Sequence, residues 1–129
     1  MSQPLPALLV VDDEDTNRNL LARLFESKGF QVHTATSGAE ALEHVRTSRT
    51  DLVLLDMNMP GLTGFDVLKK LRLTHTPGAL PVVMVTGFGE SHDLVEALEL
   101  GANDYVTKPI DFPVVLARIK TQLAGHQGD

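Results

Sequence analysis

Asp51-Leu52-Val53-Leu54-Leu55-Asp56-Met57-Asn58-Met59-Pro60-Gly61 is the stretch that decides the architecture. An apolar run that stops on a carboxylate and then breaks at Pro-Gly reads as a buried strand delivering an acid to its C-terminal edge. Earlier in the chain Leu8-Leu9-Val10-Val11 stops the same way, on Asp12-Asp13. Two such strands at one edge of a sheet make a carboxylate pocket, and a carboxylate pocket needs a cation.

Outward from these runs the chain alternates short apolar segments with segments of helical period. Strands are expected over 8–11, 31–35, 51–55, 81–86 and 104–107, and helices over 16–27, 39–47, 65–72, 91–100 and 112–123. Leu20, Leu21, Leu24 and Phe25 form one helical stripe, and Phe112, Val115, Leu116, Ile119 and Leu123 form another. Such i, i+3, i+4, i+7 spacing packs a helix face on a sheet. Gly29 and Gly101 stand where left-handed helix stops are wanted. Ser37 can cap the second helix with Glu40 as capping-box partner, and Ser91 can cap the fourth. Residues 52–55 and 82–85 are apolar throughout, as in strands covered on both faces.

Five β-α units with right-handed crossovers give an α/β fold with a doubly wound parallel sheet. Ligands of such folds bind beyond the strand carboxyl ends. Asp12, Asp13, Asp56, Thr86 and Lys108 all fall there. The chain reads as one domain over 1–124 with an unstructured tail over 125–129.

Composition narrows the function. Of 129 residues, 43% are apolar and 22% charged, ordinary for a globular domain; 17 acids against 11 Lys plus Arg give a net charge of −6. That balance argues against direct nucleic-acid binding, which favours a basic face. With no cysteine, disulfides, thiolate metal sites and thiol catalysis are excluded. No basic segment precedes the first apolar run, and no run approaches the roughly 20 apolar residues that span a bilayer. The expected location is the cytoplasm, away from the membrane.

Three carboxylates converging within about 5 Å repel by roughly 3 kcal/mol per pair at an effective dielectric near 20. Either one stays protonated or a cation sits among them. Oxygen-only donors suit Mg²⁺ best, with Mn²⁺ also possible. Thr86 adds a hydroxyl beside the small Gly87, and Lys108 adds an ammonium beside Pro109. A carboxylate, a metal, a hydroxyl and an ammonium together suit phosphoryl transfer to the carboxylate.

Taken in order, Asp12-Asp13, Asp56 with Met59-Pro60-Gly61 and Gly64, Thr86-Gly87 and Lys108-Pro109 resemble the receiver domain of two-component response regulators, the CheY-like family. The match covers residues 6–124. The resemblance implies strand order 2-1-3-4-5 and makes Asp56 the phosphoacceptor. The phosphoryl donor would be a phosphohistidine on a sensor histidine kinase or a histidine phosphotransfer domain. It implies Mg²⁺ held by Asp13 and Asp56, by Asp12 partly through water, and by the backbone carbonyl of Asn58. Lys108 would pair with the phosphoryl group, across a cis bond to Pro109. Thr86 and Tyr105 would be the switch pair that remodels the face of the fourth helix, fifth strand and fifth helix. That face would control an output domain, another partner or a homodimer.

Simpler readings stand beside these. Asp12 and Asp13 can be acids at a helix N-terminus, as Glu14 and Asp15 are. Asp56 can be a turn acid, Thr86 a strand-end β-former, Lys108 a solvated lysine, and Tyr105 a packing aromatic. The five histidines (33, 44, 75, 92, 126) show no ligand spacing and read as surface residues, with His92 a possible partner contact. Phe88 is bulky for its place beyond Thr86 and is expected to slow hydrolysis of an acyl phosphate. Rival functions are an aspartyl-phosphate phosphatase of the haloacid-dehalogenase class, a nucleotide- or flavin-binding module, and a pseudo-receiver that works without phosphorylation. The first wants an acid where Asn58 stands, and the second wants a phosphate loop where four acids stand. The third normally goes with loss of an acid, the Thr or the Lys, and here none is lost.

Overall fold

The computed structural model describes residues 5–87 and 91–126, apart from the side chains of residues 91–93 and 126. Along the chain run β1 (Ala7–Val11), α1 (Asp15–Ser27), β2 (Gln31–Ala35), α2 (Gly38–Thr47) and β3 (Leu52–Asp56). There follow α3 (Gly64–Thr74), β4 (Val82–Thr86), α4 (Ser91–Glu99), β5 (Asp104–Thr107) and α5 (Phe112–His126). All four ladders are parallel, in the order β2-β1-β3-β4-β5. Each of the first four helices carries the chain back across the sheet, as parallel pairing requires.

Alternation along the strands sorts the core into two halves. Leu8, Val10, Leu52, Leu54, Val83 and Val85 pack with Leu21 and Phe25 of α1 and with Val115 and Ile119 of α5. Leu9, Val11, Val53, Leu55, Val82 and Met84 pack with residues of α2, α3 and α4, among them Ala41, Val67, Leu68, Leu71 and Ala97. Each large apolar side chain buried in this way stabilises the fold by about 1.5–3 kcal/mol.

Boundaries shift by small steps from those read in the sequence. Leu20, expected on the buried stripe of α1, is 52% exposed. Adjacent helical residues point about 100° apart, so Leu21 and Phe25 hold the buried centre and Arg18 takes the third place. Ser37 caps α2 by accepting from Glu40 N, but Glu40 Oε1 accepts from Thr36 N, so the expected box does not close on Ser37. A full capping box appears instead at α3, between Thr63 and Asp66. Ser91 is the first residue of α4, and its side chain is outside the described residues.

Gly29 and Gly101 have φ of 94° and 109°, the expected left-handed stops. Gly125 does not end α5. The helix continues through Gly125 and His126, where a flexible tail was expected, because one glycine costs a helix only about 1 kcal/mol. Residues 127–129 lie outside the described set.

One close approach matters for the site. A Cβ on Gly64 would lie 2.6 Å from the Asp56 carbonyl oxygen and 2.6 Å from Met57 Cα. Only glycine lets the start of α3 press on the end of β3, where Gly64 N donates to Met57 O at 3.1 Å.

Candidate functional site

Strand register brings the predicted residues to one edge. Val11 pairs with Leu55, so Asp12 and Asp56 leave neighbouring strands at the same level. Asp56 pairs with Val85, which sets Thr86 one step farther out on β4. Thr86 pairs with Thr107, and Lys108 follows directly, its N–H donating to Thr86 O at 2.8 Å. The Lys108–Pro109 peptide is cis, as the resemblance implied.

Oxygens of Asp12, Asp13 and Asp56 all lie within 4.8 Å of one another. Asp12 and Asp56 are buried while Asp13 is exposed, so the cluster opens to solvent on one side. Asp56 Oδ2 accepts from Lys108 Nζ at 3.0 Å, and Asp56 Oδ1 accepts from the backbone N–H of Asn58 at 2.9 Å. Asp12 Oδ1 accepts from Glu14 N at 2.9 Å. The donor set is all oxygen, on the edge of a rigid sheet. That chemistry fits a hard divalent cation such as Mg²⁺.

Electrostatics carry the strain of this packing. Burial pushes the Asp12 carboxyl above its ordinary value; the Glu14 N–H opposes the shift, the charge of Asp56 adds to it, Lys108 opposes it, and Asp13 adds a little more. For Lys108 burial pulls downward, but the hydrogen bond and charge of Asp56, with Asp12 and Asp13 behind it, outweigh burial and raise it. The ammonium is thus held charged where negative charge collects.

Thr86 is buried at the end of β4. Met84 and Tyr105 pair across the β4–β5 ladder and pack on the α2, α3 and α4 side of the sheet. By two-residue alternation Thr86 shares that side. Tyr105 sits two residues short of the strand end, half-buried. Arg118 covers its ring at 5.8 Å from the centroid and holds both Asp104 oxygens at 3.3 Å. Phe88 and the side chain of His92 are outside the described residues.

Three features escaped the sequence reading. Arg18 is buried beside Asp12, Arg72 binds a ring of carbonyls far from the acids, and His33 and His44 stack with centroids 4.8 Å apart. The histidines of β2, α2 and the end of α3 are half-buried rather than freely exposed. Only Arg18 left a usable signal, since it lies three and seven residues before Leu21 and Phe25 on the apolar stripe.

Comparison with known proteins agrees with the geometry. A family model described as response regulator receiver domain matches residues 8–120. The regulatory protein VanRc of Enterococcus gallinarum is 39% identical over 120 residues, 93% of this chain and 51% of that protein. The alkaline phosphatase synthesis transcriptional regulatory protein PhoP of Bacillus subtilis is 43% identical over 116 residues, 90% of this chain and 48% of that protein. The chain thus spans about half the length of these curated relatives.

The CheY-like receiver domain protein of Methanospirillum hungatei superposes with a TM-score of 0.87 at 29% identity, covering 95% of this chain and 97% of that one. NtrX of Brucella abortus superposes with a TM-score of 0.88 at 30% identity, covering 95% of this chain and 28% of that one. Among the described residues no helix is long and apolar enough to cross a membrane. Fold, edge chemistry and relatives converge, and the chain belongs to the response regulator receiver domains of two-component signalling, with the CheY-like fold.

Proposed function

We propose that Asp56 is a phosphoacceptor, taking a phosphoryl group from a phosphohistidine on a sensor histidine kinase or a histidine phosphotransfer domain. The observation that carries this reading is Lys108 Nζ at 3.0 Å from Asp56 Oδ2 inside a cluster of three carboxylates. An Asp56 oxygen attacks phosphorus, the O–P bond forms as the P–N bond breaks, and the imidazole leaves with the bonding electrons and takes up a proton from water. Asp13, Asp56 and the Asn58 carbonyl, with Asp12 partly through water, would hold a divalent ion, Mg²⁺ or Mn²⁺, which would supply positive charge against the phosphoryl oxygens.

Lys108, released from Asp56, turns its ammonium to a phosphoryl oxygen. Thr86 donates its hydroxyl to another, and Tyr105 moves inward behind it. The face of α4, β5 and α5 is remodelled in consequence and controls an output domain, another partner or a second copy of the chain. The functional unit is residues 1–124, and its action is cytoplasmic. The chain works on itself and turns over no external substrate. The length of the relatives, about twice that of the matched region, supports an output segment in proteins of this kind.

The test is exposure to acetyl phosphate with Mg²⁺, read by intact mass on wild type and Asp56→Asn. The wild type should gain about 80 Da, with no gain in the variant or with chelator present. Absence of any gain from either acetyl phosphate or a phosphohistidine donor overturns the reading in favour of a phosphorylation-independent interaction module.

A further inference from the structure

We propose that Arg18 is a positioning residue for the cation-binding acids, fixing the peptide that joins Asp12 to Asp13. This rests on the reading of the acid cluster as a cation site. Arg18 is 7% exposed, on the buried stripe of α1 with Leu21 and Phe25. A guanidinium in that place must find acceptors. Nη1 donates to the backbone carbonyl of Asp12 at 3.0 Å, and Nη2 donates to Asp15 Oδ1 at 2.5 Å. Asp12 lies beyond the last ladder pairs of β1, which are Val11 with Ala35 and Val11 with Leu55. Its N–H still donates to Ala35 O at 3.1 Å, while its carbonyl takes the Arg18 bond.

The Asp12 carbonyl and the Asp13 N–H belong to one planar unit. Fixing that plane limits the backbone torsions on either side of it, from which both carboxylates leave. The Arg18 bond thus bears on two of the three acids at once, beside the Glu14 N–H that holds the Asp12 carboxylate directly. Arg18 does not act here as a counterion. The charges that shift the Asp12 carboxyl are those of Asp56, Lys108 and Asp13, and the ion-pair partner of Arg18 is the outlying Asp15, whose side chain is 80% exposed. The effect runs through the backbone, in the manner of outer groups that orient metal ligands.

The experiment measures Mn²⁺ affinity by the paramagnetic resonance signal of the free ion, with circular dichroism confirming the fold. Arg18→Met should weaken Mn²⁺ binding by about 10-fold. Arg18→Lys, which keeps a donor for the carbonyl, should recover most of that loss. Asp15→Asn, which removes only a solvent-exposed pair, should change affinity by less than about 2-fold. If Arg18→Met does not fold, Arg18→Gln, two bonds shorter, takes its place. Wild-type affinity in a folded Met or Gln variant overturns the proposal, as does an Asp15→Asn loss equal to that of Arg18→Met. Lack of saturable Mn²⁺ binding in the wild type overturns the cation reading itself, and this inference with it.

Discussion

His44 of α2 stacks on His33 of β2, and its Nε2 is buried without a hydrogen-bond partner. His33 Nε2 is within 3.1 Å of Gln31 Nε2, and the charge that shifts His44 is that of His33. Burial, and then the neighbouring charge of His33, pull His44 below the ordinary value of 6.5. The unfolded chain therefore binds this proton more readily than the fold does. The stability that His44 contributes is complete above about pH 6.5 and is lost as pH falls through the depressed folded value. Between pH 7.5 and 5.5 the melting temperature should fall more in the wild type than in His44→Gln; equal falls would contradict this account. Nothing in the spacing of residues 33 and 44 announced the pair, because they stand on different elements and meet only when α2 packs on β2. Asp12, Asp56 and Lys108 were legible for the opposite reason. Each ends a strand run, and parallel register carries strand ends to a common edge.

On the scale of elements, Arg72 ties together three segments that the sequence reading left separate. From α3 it donates to Leu80 O at 3.0 Å, Gly101 O at 2.9 Å and Asn103 Oδ1 at 3.0 Å. Asn103 in turn accepts from Val82 N and donates to Pro77 O. The end of α3, the loop into β4 and the turn after α4 are thus one clasp, at the sheet edge remote from the acids. Burial lowers the Arg72 guanidinium from its ordinary value but leaves it charged. Arg72→Met strands buried carbonyls and should cost about 2–3 kcal/mol in urea unfolding, while phosphoryl uptake at Asp56 persists. A loss below about 0.5 kcal/mol, the range of ordinary surface changes, would show that the clasp is ornamental. Neither the clasp nor the last turn of α3 was visible in the apolar pattern. The bonds are polar, and Leu73, 82% exposed, breaks the stripe just where the helix continues.

For the molecule as a whole, the acid cluster sets stability against function. Three carboxylates within 4.8 Å oppose folding when no cation is present. Asp12→Asn should therefore raise the melting temperature by a few degrees in chelator, about 1 kcal/mol. Mg²⁺ should stabilise the wild type by about 2.7 kcal/mol at a hundred times its Kd, and the variant much less. A variant no more stable than the wild type in chelator would refute the idea. The doubly wound parallel sheet was readable because five short strand runs alternate with five helical stretches, while its order came from the family resemblance and the polar contacts between elements escaped. That order also shapes the chain's birth. Every ladder is parallel, so no neighbouring strands can close through a tight turn, and β1 has to wait for both of its partners. All five residues of β1 are buried in the finished fold. A chain synthesised only as far as β2 lacks the β3 partner of β1, so its apolar flank is expected to be most open to aggregation until residues 52–56 follow.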